Sequence, residues 1–484
     1  MSELHQQAIN YVYLQVLQKL QCHYSHLQRL ALEELLKRIA LAAGGYSRVG
    51  SFRLMIAHGG SRDSTQAVAF LRAAQLSMAL RCGQTFSLRI VTCRHVPLGE
   101  PLKGNLQRLY AALFVTDDPR VELLVADDRH VRPLEFPDVA LEPLGTGQRL
   151  DLLMAGQLTG ADVRATFCHT DHQRLARALQ YALRWQSGVD AVAQIDPPQQ
   201  RNQYMSWFRR LARGARLLQE EGAEVPPKLL CSITELQSRL GEVPAPPPNC
   251  RILMLDDLMK AVLEAPCEPL LAILGFRLPD LRAAVSEADC ADPLAIAHIN
   301  GLRAESLTLL DYRDGIEHYL ALAAPLLRDR RLPEPLLRDA LANYASKRAM
   351  LAHRKRANAW IEARYGLREN HLKCMLFAPF VDHGAGLPRY LKQCDQSLPF
   401  SLPYLHSALR GDRVPEQVVH WLTDVSGLPL PLLQKLYDMT RVHIDDDHTL
   451  LARTRHWPTS ARGIQGLHPV TGLPACDQRT PTDD

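Results

Sequence analysis

Between residues 52 and 125, short apolar runs alternate with helix-length segments, and this alternation restricts the fold more than any other feature of the chain. Phe52-Arg53-Leu54-Met55-Ile56-Ala57 reads as a strand. Ser64 to Arg81, dense in Ala, Leu, Val and Met, reads as a helix. Phe86-Ser87-Leu88-Arg89-Ile90-Val91 reads as a second strand, Pro101 to Val115 as a second helix, and Arg120-Val121-Glu122-Leu123-Leu124-Val125 as a third strand. Leu150-Asp151-Leu152-Leu153-Met154-Ala155 reads as a fourth. Strands alternating with helices of this length are the pattern of βαβ units and a parallel sheet, with right-handed crossovers. A helix apolar on nearly all sides, as Ser64–Arg81 is, suits a position packed on that sheet.

Helical signals flank the alternation. Ile9, Val12, Val16 and Leu20 recur at intervals of three and four, and Leu30 to Ile39 continue the pattern, with a break expected near Cys22–Ser25. Gly44-Gly45 is a natural stop, because glycine accepts the left-handed conformation at a helix end. Beyond Phe167 the chain reads as mostly helical. Thr170-Asp171-His172-Gln173 has the form of a capping box. Pro197-Pro198, Pro226-Pro227 and Pro244-Ala245-Pro246-Pro247-Pro248 interrupt the region, the last as a stiff linker. The expected fold class is therefore α/β plus α. An N-terminal helical segment (1–45) precedes a Rossmann-like parallel-sheet domain (46–165). A helical segment with a basic amphipathic helix (166–243), a helical domain (250–457) and a disordered tail (458–484) follow. No internal repeat of fixed period is visible.

Composition narrows the classes. A chain of 484 residues has room for two to four domains. With 46% hydrophobic and 22% charged residues it is neither disordered nor collagenous. No run of about 18 uncharged apolar residues suggests a membrane span, and the first residues carry no secretory-signal pattern. The net charge of +4 is too mild to imply nucleic-acid binding without clustering. Eleven cysteines without a C-x-x-C pair point to reduced thiols in a cytoplasmic setting. A bacterial source is expected; the excess of Arg over Lys is what a G- and C-rich genome produces.

The most informative local signal is His58-Gly59-Gly60-Ser61-Arg62-Asp63-Ser64-Thr65, between the first strand and its helix. In open parallel sheets ligands bind beyond the carboxyl ends of strands. A helix start offers unpaired amides and a positive dipole end. Gly59 and Gly60 permit close backbone approach. Ser61, Ser64 and Thr65 add hydroxyls, Arg62 can pair with a phosphate or carboxylate, and Asp63 could hold a metal ion. The same residues are also ordinary turn and cap chemistry.

Over fewer than ten residues this stretch resembles the Ser-Gly-Gly-x-Asp-Ser PP-loop of ATP pyrophosphatases, departing at the first and third positions when aligned on Asp63-Ser64. It also resembles the His-Gly-Ser-Arg-Asp run of class II tetrapyrrole chelatases, with one extra glycine. That second resemblance implies a metal role for His58 and a second histidine after a later strand, for which His95 and His130 are the candidates. Neither resemblance assigns a family.

Two basic clusters stand apart from this loop. Along 199–218, Tyr204, Phe208, Leu211, Ala215 and Leu218 form one helical face and Arg209, Arg213 and Arg216 the other, with Arg210 nearby. Lys347-Arg348 and His353-Arg354-Lys355-Arg356 place Lys347, Arg348, Arg354 and Lys355 on neighbouring helical rows. Such stripes suit nucleic-acid phosphates or an acidic protein partner, and a solvated helix face gives the same pattern. Lesser candidates are Cys168-His169-Thr170-Asp171-His172, Asp382-His383-Gly384 and His443-Ile444-Asp445-Asp446-Asp447-His448. Ile252 to Asp257 resembles an acidic ATPase strand, but without G-x-x-x-x-G-K-[ST] it reads as the start of a helix through Leu263. Val414 to Met439 reads as a helical hairpin.

The function expected from these features is a cytoplasmic protein whose α/β domain binds a phosphate-bearing, nucleotide-like molecule at the first strand-to-helix loop. Its basic helical region would engage nucleic acid or a protein partner, and no membrane. The alternatives are a non-catalytic regulatory scaffold and a chelatase-like enzyme.

Overall fold

The computed structural model describes residues 3–93, 100–127, 130–136, 144–195, 250–264, 268–278, 293–308, 310–329, 346–395 and 401–442, with 338, 342 and 344. These fall into two compact units. One holds the described residues up to 145, 168–195 and 250–278; the other holds 146–167 and those from 293 onward.

The first unit is built on a sheet of β1 (Arg53–Ala57), β2 (Ser87–Cys93), β3 (Val121–Ala126), β4 (Val131–Pro133), β5 (Ala191–Gln194) and β6 (Arg251–Met254), in the order β4-β3-β2-β1-β5-β6. All neighbours are parallel except the β3–β4 hairpin. Leu54 aligns with Leu88 and with Ala191, and Ile90 with Leu123. Leu54, Ile56, Leu88 and Ile90 pack into one core, with α1 (Glu3–Cys22), α2 (His26–Ala43), α3 (Arg62–Cys82), α4 (Glu100–Ala112) and, later in the chain, a helix at Asp256–Glu264. Met55, Val91 and Leu124 pack on the opposite face against Ala178 and Ala182 of a helix at His169–Arg184. Both faces are covered, which is why the strands read as continuous apolar runs rather than alternating ones.

Local chemistry sets the helix ends. Ser25 and Gln28 form a reciprocal capping box that starts α2 just after the expected break, and Gly44 ends it at φ +82°. The all-round burial of α3 has a simple cause, since α1 and α2 lie against it on the side away from the strands.

The second unit is helical: α5 (Thr146–Thr159), and then, numbering the His169–Arg184 and Asp256–Glu264 helices of the first unit α6 and α7 and its Glu268–Ile273 helix α8, α9 (Pro293–Arg303), α10 (Tyr312–Asp329), α11 (Lys347–Tyr365), α12 (Glu369–Phe377), α13 (Leu387–Cys394), α14 (Leu402–Arg410), α15 (Glu416–Ser426) and α16 (Leu430–Tyr437). Gly315 lets α10 approach α9, because a Cβ there would stand 2.2 Å from the Asn300 carbonyl oxygen.

Three expectations are corrected. Leu150–Ala155 is not a strand but the middle of α5, buried on nearly every side; a short apolar run has no period that separates a buried strand from a buried helix. Thr170 is not the N-cap of a helix: α6 starts one residue earlier, at His169, with Cys168 in the N-cap place, helical in backbone and just after a π-helical turn at Arg164–Cys168. The run from Ile252 begins as strand β6 before α7 starts at Asp256. The strands β4, β5 and β6 are three or four residues long, too short to register as a periodic pattern.

Candidate functional site

The strand order reverses at β1: β2 lies on one side of it and β5 on the other. Connections leaving such neighbouring strands diverge, and in open parallel sheets the hollow between them is where ligands bind. The chain leaving β1 at this point is His58-Gly59-Gly60-Ser61, which turns into α3. Gly60 adopts φ +82°, a conformation that glycine takes without steric penalty.

The side chains at this junction are largely occupied with one another. Ser61 is the N-cap of α3 and its hydroxyl accepts the Ser64 amide at 3.3 Å. The Ser64 hydroxyl lies 3.1 Å from that of Ser61. Thr65 is buried, with its hydroxyl 3.4 Å from His58 Nε2. The other ring nitrogen of His58, Nδ1, lies 2.9 Å from the Tyr110 hydroxyl, which also approaches Thr92. His58 is thus enclosed, and burial drives its pKa down to about 3, so the ring is neutral. Arg62 and Asp63 face outward in part, joined by an ion pair of 3.3 Å. Asp63 favours the positive end of the α3 dipole and competes there with any anionic ligand, whereas Arg62 attracts one.

Both ring nitrogens of His58, the candidate metal ligand, lie against hydroxyls. His130, the companion that can be located, has its side chain 77% exposed beside Asp127 and shares no enclosed site with His58. His95 lies outside the described residues. Among the described residues no group of His, Cys, Asp and Glu is arranged to hold a metal ion. Tyr110 and Thr92 were not singled out from the sequence. Their part follows from the β1–β2 pairing and the position of α4, and no local motif carries it.

The basic candidates divide. Arg209, Arg213 and Arg216 lie outside the described residues. On α11, Lys347, Arg348 and Lys355 are exposed. Arg354, expected on the same face, turns inward: it binds Glu305 through two bonds of 3.1 and 2.9 Å and Glu369 through two more. Its guanidinium is paired within its own unit. The carboxylate Glu369 also takes the Asn358 amide at 2.5 Å and the Lys373 ammonium at 3.1 Å. Burial alone would raise its pKa, but the bonds from Arg354 and Asn358 outweigh this and hold it at about 2.

Thr170 and Asp171 are buried within α6. Asp382, His383 and Gly384 all have positive φ, and the turn they form is pinned by the Arg441 amide bonding Asp382 Oδ1 at 3.1 Å. His443 to His448 lies outside the described residues.

Comparison of the chain with protein-family models, with curated proteins and with solved structures finds no match. No helix among the described residues is long and apolar enough to cross a membrane.

Proposed function

We propose that the α/β unit binds a phosphate-bearing small molecule of nucleotide type, in the Rossmann-like manner, at the carboxyl end of β1. The observation that carries this reading is the coincidence of the order reversal between β1 and β5 with a Gly-Gly turn into a 21-residue helix. In this reading the backbone of Gly59 and Gly60 approaches the ligand. Ser61, Ser64 and Thr65 hold the turn in shape, and Arg62 pairs with an anionic oxygen while Asp63 holds an accompanying cation. The exposed Lys347, Arg348 and Lys355 offer a surface for nucleic acid or an acidic protein, the partner that the sequence also suggests for Arg209, Arg213 and Arg216. The cytoplasmic setting belongs to the same proposal and draws on the cysteines, none of which forms a disulfide among the described residues.

A thermal-shift series with nucleotides, inorganic phosphate and Mg2+ tests it. A ligand at a hundredfold excess over Kd stabilises by about 2.7 kcal/mol. That gain should fall in Arg62→Ala, whose side chain is partly exposed, and in Gly60→Val, which places a branched side chain at positive φ. If no nucleotide or phosphate shifts the transition, the reading fails. A second reading then stands, a non-catalytic scaffold, favoured by the mutual hydrogen bonding of His58, Ser61, Ser64 and Thr65.

A further inference from the structure

Within the helical unit a cavity of about 930 Å3 opens beside the Arg354 network. This is the size range of small-molecule sites, roughly 300–1,000 Å3. One wall is α13, where Arg389, Lys392 and Gln393 stand at i, i+3 and i+4, the spacing that puts three side chains on one helix face. Glu305, Glu369, Lys373 and Asp395 line it as well.

The charges here are not equivalent. Glu305 and Glu369 are held by Arg354 and Lys373. Asp395 accepts the Trp421 indole N–H at 2.9 Å. Arg389 bonds only a neutral group, the Leu307 carbonyl at 2.6 Å, and Lys392 is exposed. Neither cation has a carboxylate partner among the described residues. Gln393 Oε1 is out of contact with water and accepts no hydrogen bond there. A buried acceptor left unmet costs about 1–3 kcal/mol, so a ligand that supplies a donor gains by meeting it.

Two unmatched cations on one wall call for an anionic group. An unmet acceptor, with acids also lining the cavity, calls for a donor or positive group at the other end of the ligand. Three acids and three bases line the cavity, so its formal charge is balanced. A polyanion such as a nucleotide would meet Glu305, Glu369 and Asp395 at close range. We propose that this cavity is a binding site for a small zwitterion of the free amino-acid class. Its carboxylate sits between Arg389 and Lys392, and its ammonium donates to Gln393 Oε1.

Isothermal titration calorimetry on the full chain decides the matter, with L-amino acids, their N-acetyl forms, acetate and inorganic phosphate as separate arms. At least one amino acid should bind saturably at millimolar concentration or below. Its N-acetyl form should bind at least about tenfold more weakly, for loss of the ammonium. Arg389→Ala combined with Lys392→Ala, both exposed and outside the core, should raise Kd at least about tenfold without altering the fold by circular dichroism. Gln393→Met should weaken binding while leaving the unliganded protein at least as stable as before, a split that a structural role for Gln393 would not produce. Absence of binding by every amino acid, phosphate or acetate binding as tightly as the best amino acid, or an undiminished affinity in the double variant would each overturn the proposal.

Discussion

Arg72 on α3 and Arg354 on α11 are both arginines in long helices that answer to carboxylates, yet they sit in opposite surroundings. Arg72 and Asp118 are fully buried, 0% exposed on both sides, and joined at 2.7 Å. The rest of the guanidinium is taken by Gln75 and by the carbonyls of Leu113 and Phe114. Gln75 in turn reaches the carbonyls of Phe86 and Arg120, where β2 and β3 begin. Every donor is aimed at this protein's own backbone or side chains, and the cluster ties α3 to the starts of β2 and β3, at the end of the sheet opposite the β1 junction. Arg354 is 19% exposed and shares its two carboxylates with Lys373 beside an open cavity. An ionic cluster that is closed and saturated fixes a fold. One left open at a hollow can also shape what enters it.

The sharpest way to break this comparison is to remove each arginine. Arg72→Met removes the buried partner of Asp118 and leaves Arg120, which is partly exposed, and the Tyr13 hydroxyl beside it. Removing one partner of a buried pair costs about 3–5 kcal/mol. Arg354→Met should cost less, about 1–2 kcal/mol, because Lys373 and solvent still reach Glu305 and Glu369. Urea unfolding of both variants checks the ranking. If Arg354→Met proves the more damaging, the distinction between closed and open clusters is wrong.

The two regions also differed in how far the sequence exposed them. The strands β1, β2 and β3 and the helices α3 and α4 were legible because buried parallel strands are continuous apolar runs and their crossovers have helical length. The loop from His58 to Thr65 was legible as a place, since it lies within one short segment. What its side chains do was not. The inward turn of His58 depends on Tyr110, 52 residues away. The cavity left no local trace, because its walls come from Glu305, Glu369 and Arg389, which only helix packing brings together. The inward turn of Arg354 left no local trace for the same reason. A basic run at helical spacing tells which charges share a face, but the partners of that face, Glu305 and Glu369, lie 49 and 15 residues away.

Acid should separate the units as well. His298, His353 and His371 in the helical unit are each held at about 4, chiefly by burial. In the α/β unit His58 is held at about 3 by the same cause. The folded chain disfavours the proton on each, so their contribution is fully present above the unfolded histidine value of about 6.5. It is lost as pH falls through the window between that value and the folded one. Each histidine can contribute a slope of up to about 1.4 kcal/mol per pH unit within its window. Amide exchange followed from pH 7 to pH 4 should therefore show protection falling more steeply in α9, α11 and α12 than in β1, β2 and β3. His58→Gln should flatten only the sheet's share. Equal slopes in the two units would mean that these histidines are not the groups that distinguish them.

The smallest effect belongs to the outer face of α11, where the two kinds of basic residue occur on one helix. Lys347, Arg348 and Lys355 are exposed, so replacing all three by alanine should change stability by no more than about 0.5 kcal/mol. If this face meets nucleic acid, the same triple variant should weaken binding across all sequences. It should also reduce the slope of log K against log salt by about 1 for each phosphate that is no longer neutralised. Arg354→Met should behave in the reverse way, lowering stability while leaving the salt slope where it was, because its guanidinium is already matched by Glu305 and Glu369. Filter binding across a salt series, paired with melting curves, reads both quantities. A salt slope that responds to Arg354 but not to the exposed three would show that the interior of this unit, rather than its outer face, is what a polyanion recognises.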